Sequence, residues 1–180
     1  MRITGGLLKG RQVKVPSGVI RPAMDRMRES IFAILGDLSN KSFLDIFSGS
    51  GIIALEAASR GASYIEAVEA DPKKRVILLE NVKISPVRIN CRFMSAELYV
   101  KRAKRAFDYI FCDPPFPYKY KRELLSSIAA SGLMNTGSTL LIHRPKEDFC
   151  DDPSPNLFLL DSREFGRSIV NFYEFSSFGN

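Results

Sequence analysis

Asp113-Pro114-Pro115-Phe116 closes an apolar run, Phe107–Cys112. Two consecutive prolines make a rigid turn and remove two N–H donors from it. The carboxylate that ends the run and the carbonyl after it then become acceptors fixed in space, with an aromatic ring beside them. An exocyclic amine of a nucleic-acid base is a poor nucleophile, because its lone pair is delocalised into the ring. Two acceptors that grip its hydrogens can hold the nitrogen pyramidal and aim the lone pair at an electrophilic methyl group. Little base strength is needed, since the methylated ammonium is acidic once formed. Catalysis is then mostly positioning, with the developing positive charge stabilised by oxygens. Phe116 would stack on an extruded base. A purely structural turn is the other reading of these four residues.

A second constellation is Leu44-Asp45-Ile-Phe47-Ser48-Gly49-Ser-Gly51-Ile-Ile-Ala54, which reads as strand, glycine turn and helix. Glycines let backbone approach a ligand, and the helix start offers free N–H groups. Gly49-x-Gly51-x-x-Ala54 also matches a dinucleotide fingerprint loosely. Asp45 separates the two: a carboxylate there suits an ammonium group, such as that of a methionine moiety, and would repel a pyrophosphate. It could also simply cap the turn. In the third constellation, Val68-Glu69-Ala70-Asp71, Glu69 can accept hydrogen bonds from both hydroxyls of a ribose. Asp71 is explained as the helix cap before Pro72. Glu69 fits NAD and S-adenosylmethionine equally, but hydride transfer has no use for Asp113-Pro-Pro-Phe116.

Other residues carry less. Pro117-Tyr118-Lys119-Tyr120-Lys121-Arg122 mixes aromatics with cations beside the proposed target pocket, which suits a nucleic-acid edge or an exposed helix start. His143, the one histidine, ends a strand beside Arg144 and either lines the cleft or is structural. With one histidine, neither a Ser/His triad nor a His-based metal site can be drawn. Strand alternation points Cys112 away from Asp113 and into the core. The three cysteines are scattered, with no CxxC, which fits a reducing cytosol and argues against a disulfide framework or zinc.

These groups need a scaffold, and the chain alternates strand and helix to supply one. Met24, Met27, Ile31, Ile34, Leu35 and Leu38 follow helical spacing from about residue 23. Strands are expected at Phe43–Phe47, Tyr64–Val68, Val87–Phe93, Phe107–Cys112, Ser138–His143, Leu157–Ser162 and Ser168–Phe175, the last two joined by Glu164-Phe-Gly-Arg167. Helices fall at Ile52–Arg60, Asp71 to about Ile84, Ala96–Ala103 and Lys121–Ala130. This order gives a mostly parallel sheet covered on both faces. Residues 1–20 read as a basic β-hairpin extension and 21–180 as a single globular domain of this α/β class. Asp151-Asp-Pro-Ser-Pro155 is a loop. The net charge is +6, and residues 1–30 hold seven cations against Asp25 and Glu29. A basic arm on a nearly neutral body suggests a polyanionic partner or, equally, a solvated face. No apolar run is long enough to span a bilayer, and the N-terminus lacks the apolar stretch of a signal peptide.

Together these residues resemble the class I methyltransferases, and more narrowly the bacterial 16S rRNA (guanine-N2)-methyltransferase family known as ribosomal small-subunit methyltransferase D. The resemblance is carried by Met1-Arg-Ile-Thr-Gly-Gly6 with Lys9-Gly10, by Arg21-Pro22 followed by Arg28-Glu29-Ser-Ile-Phe32, and by the three constellations above. Glu56-Ala-Ala-Ser-Arg-Gly-Ala62 and Phe165-Gly166 complete it. It implies a Rossmann-like, seven-stranded, mostly parallel sheet with an antiparallel last strand and a small N-terminal β-hairpin. It also implies S-adenosylmethionine as cofactor and a guanine of 16S rRNA, presented by a partly or fully assembled 30S particle, as substrate. The catalytic role carries over to Asp113, Pro114, Pro115 and Phe116. The cofactor site carries over to Asp45, Phe47, Ser48, Gly49, Gly51, Glu69 and Ala70, with Ser95 and Ala96 at the adenine. Lys9, Arg11, Arg21, Arg28, Tyr118, Lys119 and Lys121 are the expected RNA contacts. A metal-free, cytoplasmic monomer is expected. The sequence departs from the family pattern at Ala23, where Thr is frequent, at Ser95, where Asp or Asn is common, and at His143, where an acid often ends the strand. The alternatives are an amino-methyltransferase for DNA adenine, another rRNA base or protein glutamine, an NAD-dependent oxidoreductase, and a non-catalytic RNA-binding assembly factor.

Overall fold

The computed structural model describes residues 1–15, 22–148 and 153–177. Its strands are β1 (Ser42–Ile46), β2 (Tyr64–Val68), β3 (Ile89–Arg92), β4 (Phe107–Cys112), β5 (Met134–Pro145), β6 (Leu157–Phe165) and β7 (Ser168–Phe175). Its helices are α1 (Pro22–Leu35), α2 (Ile52–Ser59), α3 (Arg75–Asn81), α4 (Ala96–Arg102) and α5 (Lys121–Ala130). The strands form one sheet in the order β3-β2-β1-β4-β5-β7-β6, and only β7 runs antiparallel to its neighbours. β1 is buried from end to end, as expected of a central parallel strand covered on both faces.

Register sorts the side chains into two layers. Phe43, Ile65, Ala67, Phe111 and Leu141 pack with Met27, Ile31 and Phe32 of α1, Ala54 and Ala57 of α2, and Ile3, Leu8 and Val13 of the N-terminal segment. Leu44, Ile46, Val68, Ile110, Cys112 and Ile142 face the opposite way, onto Tyr99 and Val100 of α4 and Leu124, Leu125 and Ile128 of α5. Cys112 therefore points away from Asp113, as alternation requires, and burial pushes its thiol far above the usual range. Among the described residues, no helix is long and apolar enough to cross a membrane.

Four expectations change. The helix after Asp71 is broken into a 3-10 turn at Pro72–Lys74, α3, and another at Val82–Ile84. Asp71 still caps it, accepting from Lys73 N at 2.9 Å. At its far end the buried Asn81 side chain donates to Lys14 O and Ser50 O, tying the last turn to two other segments. β5 starts earlier, at Met134, because Phe107 already pairs there across a register shift. β6 runs through Phe165, so the turn to β7 shrinks to Gly166-Arg167.

The expected N-terminal β-hairpin is a tight loop with one antiparallel bridge, Arg2↔Gln12. Its two arms still exchange backbone hydrogen bonds, Ile3 N to Arg11 O at 3.0 Å and Val13 N to Met1 O at 2.8 Å, while at the tip Leu7 N donates to Ser59 O at 2.7 Å and Leu8 N to Ser59 Oγ at 2.8 Å. The pairing stays too short to make a named strand, and the tip docks on the C-terminal end of α2. Arg21, and with it the expected boundary between residues 20 and 21, lies outside the described residues, as do Cys150 and the first half of the Asp151–Pro155 loop.

Candidate active site

The sheet order reverses between β1 and β4: β2 and β3 lie to one side of them and β5 to the other. In open α/β sheets, ligands bind beyond the carboxyl ends of the strands at such a switch point. Here that edge opens into a cleft of about 1100 Å³. Its volume exceeds the upper end of ordinary small-ligand pockets, roughly 300–1,000 Å³, so it has room for a cofactor together with part of a second ligand.

One wall is the turn after β1. Phe47 (φ 66°), Gly49 (φ 58°) and Gly51 (φ 81°) all take left-handed backbone. For a bulky residue such as Phe47 this costs on the order of 1–3 kcal/mol; its ring is held edge-on by Tyr118 at 5.3 Å. A Cβ on Gly51 would lie 2.7 Å from Leu78 Cδ1, so packing against α3 demands glycine there. A Cβ on Gly49 would meet nothing nearer than Phe47 O at 4.0 Å. That open space leaves the Gly49 backbone accessible to a ligand.

Asp45 is buried beneath this turn. Its Oδ2 accepts from Ser48 Oγ at 2.6 Å and from Ala54 N at 3.2 Å, so it does cap the turn, and it also lines the cleft. Burial, with a smaller push from the charges of Asp113 and Glu69, raises its carboxyl to about 7. Glu69 splints the two loops: Oε2 accepts from Gly49 N and Oε1 from Asp71 N, both at 2.8 Å, with Lys74 Nζ 3.7 Å away. Phe47, Ser48, Gly49, Glu69 and Ala70 all line the cleft. Ser95 and Ala96 do not: Ser95 Oγ caps α4 by accepting from Leu98 N at 3.2 Å, and Ala96 is buried behind it.

The opposite wall is Asp113-Pro114-Pro115-Phe116, leading on to Tyr118. Asp113 N donates to Ile46 O at 3.2 Å, which fastens the loop to the end of β1. Cys112 pairs with Ile142 in register, so Asp113 lies beside His143. Asp113 Oδ1 and His143 Nδ1 are 2.8 Å apart, and the Phe116 ring leans edge-on against the imidazole at 5.7 Å.

Two of the expected RNA contacts are structural instead. Arg28 is fully buried, where its guanidinium meets Glu56 at 3.4 Å, Asp25 at 2.6 Å and Arg2 O at 3.0 Å. Glu56 also binds Arg60 and accepts from Thr4 N at 2.7 Å, so this charge cluster joins α1, α2 and the N-terminal segment. Lys121 is buried as well. Its ammonium donates to Phe116 O at 3.0 Å and to Tyr118 O, and pairs with Asp148 at 2.6 Å, holding the loop after Asp113 in shape. Tyr118 donates its hydroxyl to Glu97 at 2.5 Å while its ring faces the cleft. Lys9, Arg11 and Lys119 are exposed.

The His143–Asp113 pair and the Arg28–Glu56 cluster are the features that reading the sequence missed. Glu56 stands alone in an otherwise apolar helix, Ile-Ile-Ala-Leu-Glu-Ala-Ala-Ser, which was a signal that a buried cation must meet it. His143 could have been placed by noticing that it ends β5 as Asp113 follows β4.

Comparison with known proteins bears on this geometry. The family described as conserved hypothetical protein 95 matches residues 1–174. The ribosomal RNA small subunit methyltransferase D of Escherichia coli (strain K12) is 28% identical over 97% of this chain and 89% of its own length. YlbH of Bacillus subtilis (strain 168), a proposed rRNA methyltransferase, is 27% identical over 97% of this chain and 98% of its own. Among solved structures, yhhF of Escherichia coli, a proposed methyltransferase, superposes with a TM-score of 0.89 at 26% identity, covering 98% of both chains.

Proposed function

Since the chain belongs to the family described as conserved hypothetical protein 95 and is similar over nearly its whole length to an rRNA methyltransferase, we propose that it methylates rRNA with S-adenosylmethionine, at the exocyclic N2 of a guanine in 16S rRNA. One observation carries the reading. Asp113-Pro114-Pro115-Phe116 opens into the same cleft as the glycine turn and Glu69, so an amine-gripping loop faces a nucleoside-cofactor site.

The residues present fit that cofactor. Asp45, Glu69 and Asp113 all line the cleft, and burial, with a smaller push from the charges of Asp113 and Glu69, raises the Asp45 carboxyl to about 7. A ligand bearing an ammonium and a sulfonium offsets that negative charge, whereas a dinucleotide pyrophosphate would add to it. S-adenosylmethionine supplies an electrophilic methyl group on sulfur. Asp45 would hold the ammonium, and Gly49 would let backbone approach the methionine chain, while Gly51, which does not line the cleft, keeps the turn packed against α3. Each oxygen of Glu69 accepts one backbone N–H and keeps a further lone-pair site for a ribose hydroxyl.

At the other wall Asp113 and the Pro114 carbonyl would accept the two hydrogens of the amine, aiming its lone pair along the cleft. Phe116 would stack on the base once it has left its helix. Lys121 holds the Phe116 and Tyr118 carbonyls and so anchors the far end of the loop that carries the two acceptors. The proton released after methyl transfer passes to Asp113.

RNA would be held by exposed cations, Lys9 and Arg11 on the N-terminal segment and Lys119 beside the cleft. The tip of that segment docks at Ser59, one α2 length (about 12 Å for eight residues) from the glycine turn. It would therefore touch phosphates flanking the target nucleotide. An assembled 30S particle as substrate, a monomeric enzyme and a cytoplasmic location complete the proposal. The test is tritium transfer from labelled S-adenosylmethionine to free 16S rRNA and to 30S particles lacking the modification, followed by nucleoside analysis. Label in N2-methylguanosine is the expected result; label in another nucleoside, or none, overturns it.

A further inference from the structure

His143 is the only histidine in the chain and lies on the wall of the cleft. It is buried, and its two ring nitrogens have different surroundings. Nδ1 sits 2.8 Å from Asp113 Oδ1. Nε2 is, among the described residues, the one buried side-chain nitrogen or oxygen with no hydrogen-bond partner. Buried polar atoms are nearly always paired, and an orphan beside a ligand cleft marks a place where the ligand supplies the partner. We infer that His143 is a positioning and specificity residue. Its Nδ1–H fixes the Asp113 carboxylate, and its bare Nε2 is kept for a ring N–H next to the amine being methylated.

The assignment follows from the chemistry of each group. An ionised carboxylate offers only acceptors, so the nitrogen facing Asp113 must carry the proton. In the neutral ring the other nitrogen is then an acceptor. With Oδ1 occupied by that N–H, Oδ2 remains for the amine and the carboxylate cannot rotate away. Of the two ring nitrogens Nε2 is the one farther from the β5 backbone, and it is buried in the wall of the cleft beside Phe116. Phe116, 38% exposed, leans on the same ring and must turn aside for a base to reach Nε2. The movement that stacks Phe116 on the base would uncover the acceptor.

Such a site selects its substrate. An amine flanked by a ring N–H, as on the 2-amino-6-oxopurine edge, satisfies Asp113, the Pro114 carbonyl and Nε2 together. The amine edge of adenine presents an acceptor nitrogen at that place, which would face Nε2 lone pair to lone pair. This inference rests on the amine-methylation reading of the cleft.

Because there is a single histidine, tag-free protein labelled with 15N-histidine reports this tautomer directly. At pH 8 the expected spectrum has a protonated Nδ1 and a bare Nε2. Protonation at Nε2, in either the other tautomer or the cation, overturns the inference whatever the enzyme methylates. Two variants then separate the nitrogens. His143→Asn keeps a donor near the Nδ1 position and loses Nε2; it should hold kcat within about tenfold while raising KM for RNA about tenfold. His143→Phe loses both, and kcat should fall at least a further hundredfold with cofactor affinity unchanged. Equal kcat losses in the two variants, or none in either, overturn the inference. Failure of the unaltered enzyme to methylate any RNA would instead remove the reading on which it rests.

Discussion

Asp45 allows a quantitative prediction, because burial places its carboxyl at about 7 in the free protein. If the cofactor ammonium binds only the ionised form, the apparent affinity follows the ionised fraction. That fraction is about 0.9 at pH 8, 0.5 at pH 7 and 0.1 at pH 6, so Kd should weaken roughly fivefold from pH 7 to pH 6. On the alkaline side the ammonium itself loses its proton near pH 8, giving a bell with its optimum between about 7 and 8. At pH 6.5 saturating binding should release about three-quarters of a proton per site, visible as a buffer-dependent heat in titration calorimetry. Folding linkage runs the other way. The carboxyl is raised above its ordinary value of 3.8, so its contribution to stability is full below about 3.8 and is lost as pH rises towards 7. Acid therefore weakens binding without unfolding the protein through this group. In Asp45→Asn the amide oxygen can still accept from Ser48 and Ala54, so the turn survives while the acid limb disappears. A Kd flat between pH 5.5 and 7.5, or an acid limb that persists in Asp45→Asn, would refute the assignment of Asp45 to the ammonium.

Three further outcomes are expected. Asp113→Ala should abolish methyl transfer while leaving cofactor affinity within a few-fold; loss of both together would make the residue structural. Arg28→Met should cost about 3–5 kcal/mol in denaturant unfolding, because it strands the fully buried Glu56 carboxylate near Arg60 alone. Adding Glu56→Leu to it should recover a large part of that loss, and failure to recover would mean that the charges themselves matter less than the packing. Reversing charge at both Lys9 and Arg11 should weaken RNA binding and flatten its salt dependence by about two counterions; an unchanged slope removes the segment from the interface.

Much of the scaffold was legible because parallel strands buried on both faces leave continuous apolar runs, as in Phe43-Leu-Asp-Ile and Tyr109-Ile-Phe-Cys. The glycine turn, Glu69 and Asp113 were legible for a related reason: each follows directly on such a run, at the carboxyl ends of β1, β2 and β4. What depended on distant partners was not. Arg28 and Lys121 were taken for surface cations, since nothing local distinguishes a lysine at a helix start from one whose ammonium closes a loop. Residues 1–20 read as a β-hairpin, yet its pairing is a single bridge and its tip is tied down by Ser59, some fifty residues away. Ser95 has a capping residue's place at the start of α4 and is used as one. Pairing of His143 with Asp113 required the register between two strands, a quantity that no local window contains.

That register also limits how the gene can change length. Asp113 and His143 meet because Tyr109, Ile110, Phe111 and Cys112 are matched with Thr139, Leu140, Leu141 and Ile142. A one-residue insertion or deletion in either strand would carry one partner to the opposite face, among the side chains packed on α4 and α5. Natural length variation should therefore avoid the interiors of β4 and β5 and gather in the connections at the opposite edge of the sheet, where Ala103 to Ala106 leads from α4 into β4. Two chains that both retain the Asp113–Phe116 tetrapeptide but differ by one residue within β5 would not share a reaction centre, however similar their motifs look.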